Sequence, residues 1–464
     1  MMPDSIQAPR ILVAAGASNS GKTTAVCALM WALKHKKMNV VSCKCGPDYI
    51  DPMFHREVLG VDSENLDLFF GSKSQVRKAF ANHTEGADIA VIEGVMGYYD
   101  GLSLDSFKAS SYDLAQVLQT PVLLVVPCKG MALSAAAFIK GIIEFRKDSN
   151  IKGIILNRIS DMLYPKMKQM LESELAGCGY PIPVIGYIPE NEIFEISSRH
   201  LGLVTPDGVR DIRTKIEAAG RILEKTVNLE MLLTIAKAAP PLEIERQKAE
   251  PLPDQKIRIG VAEDAAFCFY YKDNLRMLEN LGCELVNFSP LKDSRLPDGI
   301  NGLLLGGGYP ELYARELSEN TTLLENIRSR LRQGTPCLAE CGGFMYLQQN
   351  IQGEDQKLYP MAGVLEGSCF YREKGRRFGY VEIQAEKDGT FLKKGEKIRG
   401  HEFHYWDCTH NGRDCLAVKP DKKRSWECIY MTGNLFAGYP HLSYASHPAF
   451  AGRFVNICRK RSEK

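Results

Sequence analysis

No apolar run in this chain approaches the roughly 20 residues that a bilayer span requires, so no membrane helix is expected. The opening residues, MMPDSIQAPRILVAAG, show no charged region followed by a long apolar core, so no signal peptide is expected either. An excess of one charge is also lacking: 58 Lys and Arg against 56 Asp and Glu leave a net charge of +2, with no basic tract. That balance argues against a surface built to grip nucleic acid. The C-terminal FVNICRKRSEK is basic but too short and too weakly apolar to read as an amphipathic membrane anchor. Internal repeats and low-complexity tracts are absent, which excludes solenoids and arrays.

Cysteine, by contrast, is plentiful. Fourteen cysteines in a long chain without a signal peptide point to reduced thiols in the cytoplasm rather than to a disulfide framework. Cys43 and Cys45 form a CxC, but no second ligand pair stands at zinc-site spacing.

A length of 464 residues suggests two or three domains. In the first half, short β-branched runs at 10–16, 39–44, 87–94, 121–127, 151–157 and 183–189 alternate with segments long enough for crossover helices. This is the pattern of a buried parallel sheet. Residues 238–255, AAPPLEIERQKAEPLPDQ, combine four prolines with dense charge and read as a linker. Strand signals resume at 256–264, 283–290, 299–308 and 335–340. The expectation is therefore an α/β protein with a first domain over 1–237, a linker over 238–255 and a second α/β domain over 256–464.

The segment GASNSGKT, Gly16–Thr23, fits GxxxxGK[ST], following a strand and preceding a helical pattern. Backbone N–H groups of such a loop approach phosphate at a helix N-terminus. Gly16, Ser20, Gly21, Lys22, Thr23 and Thr24 are thus the candidate ATP contacts, with Lys22 on the β/γ-phosphates and Thr23 on Mg²⁺. Acids follow the next strands: Asp48 and Asp51 in KCGPDYIDP, Glu93 and Asp100 in VIEGVMGYYDG. Ligands of an open parallel sheet bind beyond the strands' carboxyl ends, and hard oxygens there suit Mg²⁺. Thr23, Asp48 and Glu93 are the candidate metal ligands, with Asp51 and Asp100 nearer the transferred phosphoryl group. Lys44 would neutralise that group or hold a substrate carboxylate, or else is a surface lysine. Asn157 would read an adenine edge, or is a turn asparagine. Arg199 and His200 in SSRHLGL suggest an anion contact.

In the second half, GLLLGGGYPEL is a strand running into three glycines, and Gly307 and Gly308 are candidate oxyanion donors. TPCLAECGGF holds two thiols. Cys337 lies within the strand and reads as core; Cys341, followed by two glycines, stands where a nucleophile needs small neighbours. GYPHLSYASHP supplies His441 as the general base, with His447 as a weaker alternative.

The motifs KCGPDYIDPMFH, VIEGVMGYYDG, SSRHLGL, GGGYPE, ECGGFMYL and GHEFHY together resemble the cobyrinic acid a,c-diamide synthase family, over nearly the whole chain. The first half is similar to dethiobiotin synthetase, and the second to a class I glutamine amidotransferase domain of the cobyric-acid-synthase type. The resemblance implies that Cys341 hydrolyses glutamine. It also implies that the released ammonia displaces phosphate from a tetrapyrrole carboxylate activated by Mg²⁺ and ATP. It implies small-molecule partners (L-glutamine, ATP, a tetrapyrrole), no nucleic acid, no membrane, a cytoplasmic location and a homodimer. Nickel-sirohydrochlorin or siroheme carboxylates are alternative acceptors for the same chemistry. A cytidine-triphosphate-synthase reading is disfavoured by the chain's length and by its GPDYIDP. A partitioning ATPase would carry a second lysine where Ala17 stands. Many class I domains place Pro and Glu after the catalytic His; Leu442 and Ser443 occupy those places, so the group that orients His441 is open.

Overall fold

A computed structural model describes residues 4–195, 206–245, 256–373 and 377–462. Arg199 and His200 lie outside the described residues. The chain divides into two compact units, 1–248 and 249–464.

The first unit is built on a seven-stranded parallel sheet. Its strands are β2 (Arg10–Ala15), β3 (Val40–Cys45), β4 (Ser63–Leu66), β5 (Ile89–Glu93), β6 (Val122–Pro127), β7 (Ile151–Asn157) and β8 (Val184–Ile188), in spatial order β4-β3-β5-β2-β6-β7-β8. A parallel sheet covered on both faces must be apolar on both. Alternate residues of β2 accordingly feed different cores, Leu12 and Ala14 into one, Ile11, Val13 and Ala15 into the other. Helix α1 (Lys22–His35) starts at Gly21, whose left-handed backbone (φ 85°) lets the phosphate loop swing into the helix. Helix α2 (Ile50–Leu59) follows β3.

Two features depart from the sequence reading. The polar SENL of β4 is an edge strand, and its Glu64 is buried with Oε1 3.4 Å from His83 Nδ1. Inside the expected linker, β9 (Leu242–Ile244) pairs antiparallel with β1 (Asp4–Ile6), so the first unit extends past residue 237. Leu242 and Ile244 are buried at alternate positions, which is why this proline-flanked stretch docks.

The second unit has a six-stranded sheet containing β10 (Ile257–Ala262), β12 (Cys283–Phe288), β13 (Gly302–Leu305) and β15 (Cys337–Glu340), continued by Leu435–Gly438 and Tyr430–Met431. A short ribbon pairs β11 (Phe267–Phe269) with β14 (Gly307–Gly308). A five-stranded antiparallel sheet, unforeseen in the sequence, runs Ser425–Cys428, Cys415–Val418, Phe378–Ala385, Lys397–Phe403, His441–Leu442. Cys337 is fully buried in the core on one face of β15, as its strand position suggested. The expectation of reduced thiols meets an exception: Cys369 and Cys408 are joined, facing each other across antiparallel strands with Cα atoms 4.0 Å apart. Among the described residues, no helix is long and apolar enough to cross a membrane.

Candidate active sites

At the carboxyl edge of the first sheet, the loop from Gly16 to Thr23 leads from β2 into α1. Thr23 Oγ1 donates to Glu93 Oε1 at 2.6 Å, which joins the loop's hydroxyl to the acid ending the neighbouring strand β5. Lys22 Nζ folds back onto Ala17 O (2.9 Å) and Met96 O (2.5 Å). Burial, assisted by the charge of Lys44, lowers the Lys22 ammonium to about 8. Ser20 Oγ donates to Ala17 O at 2.9 Å, and Thr24 is buried in the first turn of α1.

Lys44 is not a surface residue. Its side chain is 6% exposed, donates to Asp51 and lies 3.1 Å from Glu93 Oε1. Burial alone would lower its pKa, but the carboxylates of Asp51 and Glu93 outweigh that and raise it. The reverse balance acts on Glu93: burial would raise it, while Lys44 and the bonds from His55 and Thr23 hold it well below the usual carboxylate range. Asp51 is pushed upward, by burial first and by the Glu93 charge second.

His55 escaped the sequence reading. Its Nε2 lies 3.2 Å from Glu93 Oε2 and its Nδ1 lies 3.1 Å from Ser42 Oγ, with the side chains of His55 and Glu93 fully buried. Asp51 and His55 are one turn apart on α2, so the DxxxH spacing was the available signal.

The remaining acids sit at the rim. Asp48 Oδ1 accepts from Ile50 N at 2.9 Å, at the start of α2. Asp100, exposed, accepts from Gly97 N at 2.9 Å. Asn157 Nδ2 donates to Ser20 O at 2.8 Å and so braces the phosphate loop. It also lines a cavity of about 170 Å³ with Gly21, Thr24, Arg158 and Pro189. Among the described residues no group of three or more His, Cys, Asp or Glu is arranged to hold a metal ion. The paired Thr23 hydroxyl and Glu93 carboxylate are hard oxygens of the kind that suits Mg²⁺ alongside water and phosphate oxygens.

In the second unit, Cys341 stands between β15 and the short helix Gly342–Tyr346 with φ 49° and ψ −104°. A non-glycine residue with positive φ is strained, and a nucleophile elbow uses that strain to aim its side chain. The turn is pinned by Cys341 N to Gly438 O (2.8 Å), Gly343 N to Gly306 O (2.8 Å) and Met345 N to Cys341 O (2.9 Å). Burial, then the charge of Glu311, pushes the Cys341 thiol well up.

His441 is buried against the same glycines. A β-carbon on Gly307 would come within 2.3 Å of His441 Cε1, and one on Gly342 within 3.1 Å of Gly308 N. Gly307 and Gly308 thus lie beneath the imidazole and the cysteine turn. Burial lowers His441 to about 3, helped by the charges of His401, which faces it across paired strands, and His404. Burial thus favours the uncharged form of both the Cys341 thiol and the His441 imidazole. His447 is placed otherwise, its Nε2 3.6 Å from Glu396, which also binds Arg453.

The GHEFHY motif lines the same region. Glu402 is buried, 3.3 Å from His404 Nε2, and accepts from Trp426 Nε1 at 3.2 Å. His404 stacks on Tyr439 at 3.8 Å.

Comparison with known proteins follows this division. The CobQ/CobB/MinD/ParA nucleotide binding domain family matches residues 11–204, and the CobB/CobQ-like glutamine amidotransferase domain family matches 258–449. The chain is 38% identical over 459 residues to the cobyrinate a,c-diamide synthase of Caldanaerobacter subterraneus subsp. tengcongensis, covering 98% of this chain and 100% of that protein. It is 37% identical over 463 residues to the cobyrinate a,c-diamide synthase of Thermoplasma volcanium, with 99% of each covered.

Proposed function

This chain belongs to the cobyrinate a,c-diamide synthase family, and we propose that it amidates the a and c side-chain carboxylates of cobyrinate, with ATP as activator and glutamine as nitrogen donor. It is a ligase with a glutamine amidotransferase domain, acting in cobalamin biosynthesis. The observation that carries the mechanistic reading is the pairing, in one chain, of a phosphate loop bonded to a strand-end acid through Thr23 and Glu93 with a cysteine held at a positive-φ elbow.

In the first unit, loop N–H groups and Lys22 bind the nucleotide phosphates, while Thr23 and Glu93, with Asp48 nearby, would hold Mg²⁺. Bound there, the ion would neutralise developing phosphate charge. A substrate carboxylate oxygen attacks the γ-phosphorus; ADP leaves and an acyl phosphate remains. Lys44, Asp51 and Asp100 border this chemistry, and Arg199 is assigned to it on sequence alone. Ammonia then attacks the acyl carbon, and phosphate leaves as the amide forms.

In the second unit, the Cys341 proton passes to His441 and the thiolate attacks the glutamine side-chain carbonyl. Gly307 and Gly308 offer backbone N–H groups to the oxyanion. The C–N bond breaks, ammonia takes the proton from His441, and water releases glutamate from the thioester.

The test gives the full chain glutamine, ATP and Mg²⁺ with cobyrinate, nickel-sirohydrochlorin or siroheme in parallel, with mass spectrometry of the products. Two amides gained on cobyrinate are expected; amides gained only on another tetrapyrrole would overturn the substrate assignment.

A further inference from the structure

The sequence leaves His441 without an acid in the two positions after it, where Leu442 and Ser443 stand. The fold supplies one from another strand. Glu340 ends β15, immediately before Cys341, and its Oε2 lies 4.0 Å from His441 Nδ1. The Leu442 backbone N–H donates to the same carboxyl group, tying it to the strand that carries the imidazole. Glu340 is 9% exposed, and its Oε1 has no hydrogen-bond partner among the described residues. A buried carboxyl group without a bonded cation is costly. No Lys or Arg forms an ion pair with it among the described residues; its one charge partner within 4.0 Å is the imidazole.

We propose that Glu340 is the positioning residue of the glutaminase site: it holds His441 through Nδ1 and balances the charge formed when Nε2 takes the Cys341 proton. This rests on the reading of Cys341 as nucleophile and His441 as base. A buried imidazolium needs a nearby negative charge; His401 and His404 oppose its charging, and Glu340 is the acid placed at its Nδ1. The 4.0 Å separation is longer than a hydrogen bond. Catalytic contacts are often long in the unliganded state and tighten when substrate binds. The step balances without a further reactant: Sγ–H gives its proton to Nε2, Nδ1–H stays in place facing Glu340, and the Nε2 proton leaves with ammonia.

The groups around Glu340 set its pH behaviour. Facing it are Cys341, His441, Tyr270 and Tyr444, with His401 across from His441. Burial pushes the Glu340 carboxyl up to about 8. Its anionic fraction therefore grows as pH rises through 8, and glutaminase kcat should rise with it. The stability effect runs the other way. A carboxyl raised above its ordinary 4.5 stabilises the fold below that value, and the benefit is lost as pH climbs through 8.

The experiment measures glutaminase kcat, glutamine KM and the pH profile from 6 to 10 for the full-length wild type, Glu340→Gln, Glu340→Asp and Cys341→Ala, with thermal unfolding of each. Glu340→Gln is expected to lower kcat about 10²-fold, the low end for a positioned acid–base partner, with KM unchanged and the rising limb near pH 8 gone. Its unfolding temperature should match or exceed wild type at pH 8.5. Glu340→Asp should retain the limb at intermediate kcat. Wild-type kcat and an intact limb in Glu340→Gln, with Cys341→Ala inactive, would overturn this proposal alone. Glutaminase surviving in Cys341→Ala would overturn the reading beneath it. If Glu340→Gln fails to fold, Glu340→Asp decides: lowered kcat with the limb retained supports the proposal, and full kcat or a lost limb contradicts it.

Discussion

The two units bury ionisable groups in opposite ways. In the first, Lys44 is buried between Asp51 and Glu93, with Glu93 also against His55, while the buried Lys22 ammonium rests on the carbonyls of Ala17 and Met96. In the second, burial acts with less compensation, so Cys341 stays a thiol, His441 a neutral imidazole, and Glu340 is pushed toward its neutral form. A site that must receive a polyanion and a cation keeps its charges set before the ligand arrives. On the proposed function, the glutaminase site would keep its thiol and imidazole uncharged until substrate enters.

Substitutions can break this contrast. The largest expected effect is that of Lys22→Ala, which should reduce ATP-dependent amidation to background while glutamine hydrolysis persists; unchanged amidation would remove the phosphate-loop assignment. Next comes Lys44→Met, which leaves two buried carboxylates without their cation. Removing one partner of a buried ion pair costs about 3–5 kcal/mol, so the first unit should unfold at markedly lower denaturant, with the second unit's transition unmoved. Denaturation followed by separate reporters in the two units would show it.

Gly307→Ala is the matching change in the second unit. The added methyl would press on His441 Cε1, so glutaminase kcat should fall about 10-fold or more through a misplaced base, while amidation with added ammonia continues. A kcat equal to wild type would show that His441 is not held over Gly307 during turnover.

The smallest effects are in the pH dependence of stability. Glu93 is held below its ordinary range, so its contribution is full above that range and declines as pH falls from there toward its lowered folded value. Glu340 is raised, so its contribution is lost as pH rises through about 8. Thermal unfolding from pH 3 to 9 should therefore show Glu93→Gln flattening the acid side and Glu340→Gln the alkaline side. Both changes acting on one side would contradict the contrast.

The first sheet was legible because strands buried on both faces must be apolar throughout, and runs such as VLLVVP announce this without reference to partners. The edge strand SENL was not, since its buried Glu64 depends on His83, which only the fold brings near. The antiparallel sheet of the second unit escaped for a related reason: FGYVEIQA alternates and is half exposed, a weaker signal than a continuous run. The sharp turn at Cys341 was readable from the glycines that follow it. Its positive φ was not, because strain belongs to the turn and not to the residue type. Nothing in KCGPD shows that Lys44 is covered; only the fold brings Asp51 and Glu93 around it. Glu340 carried a signal that went unused: an acid ending an otherwise apolar strand is rarely buried without a purpose.

The most direct test of the division of labour is amidation by Cys341→Ala. With glutamine as the sole nitrogen source the variant should form no amide; with ammonium supplied, ATP-dependent amidation should proceed at a rate comparable to wild type. Amide formation from glutamine by this variant, or failure with ammonium despite an intact fold, would contradict the account.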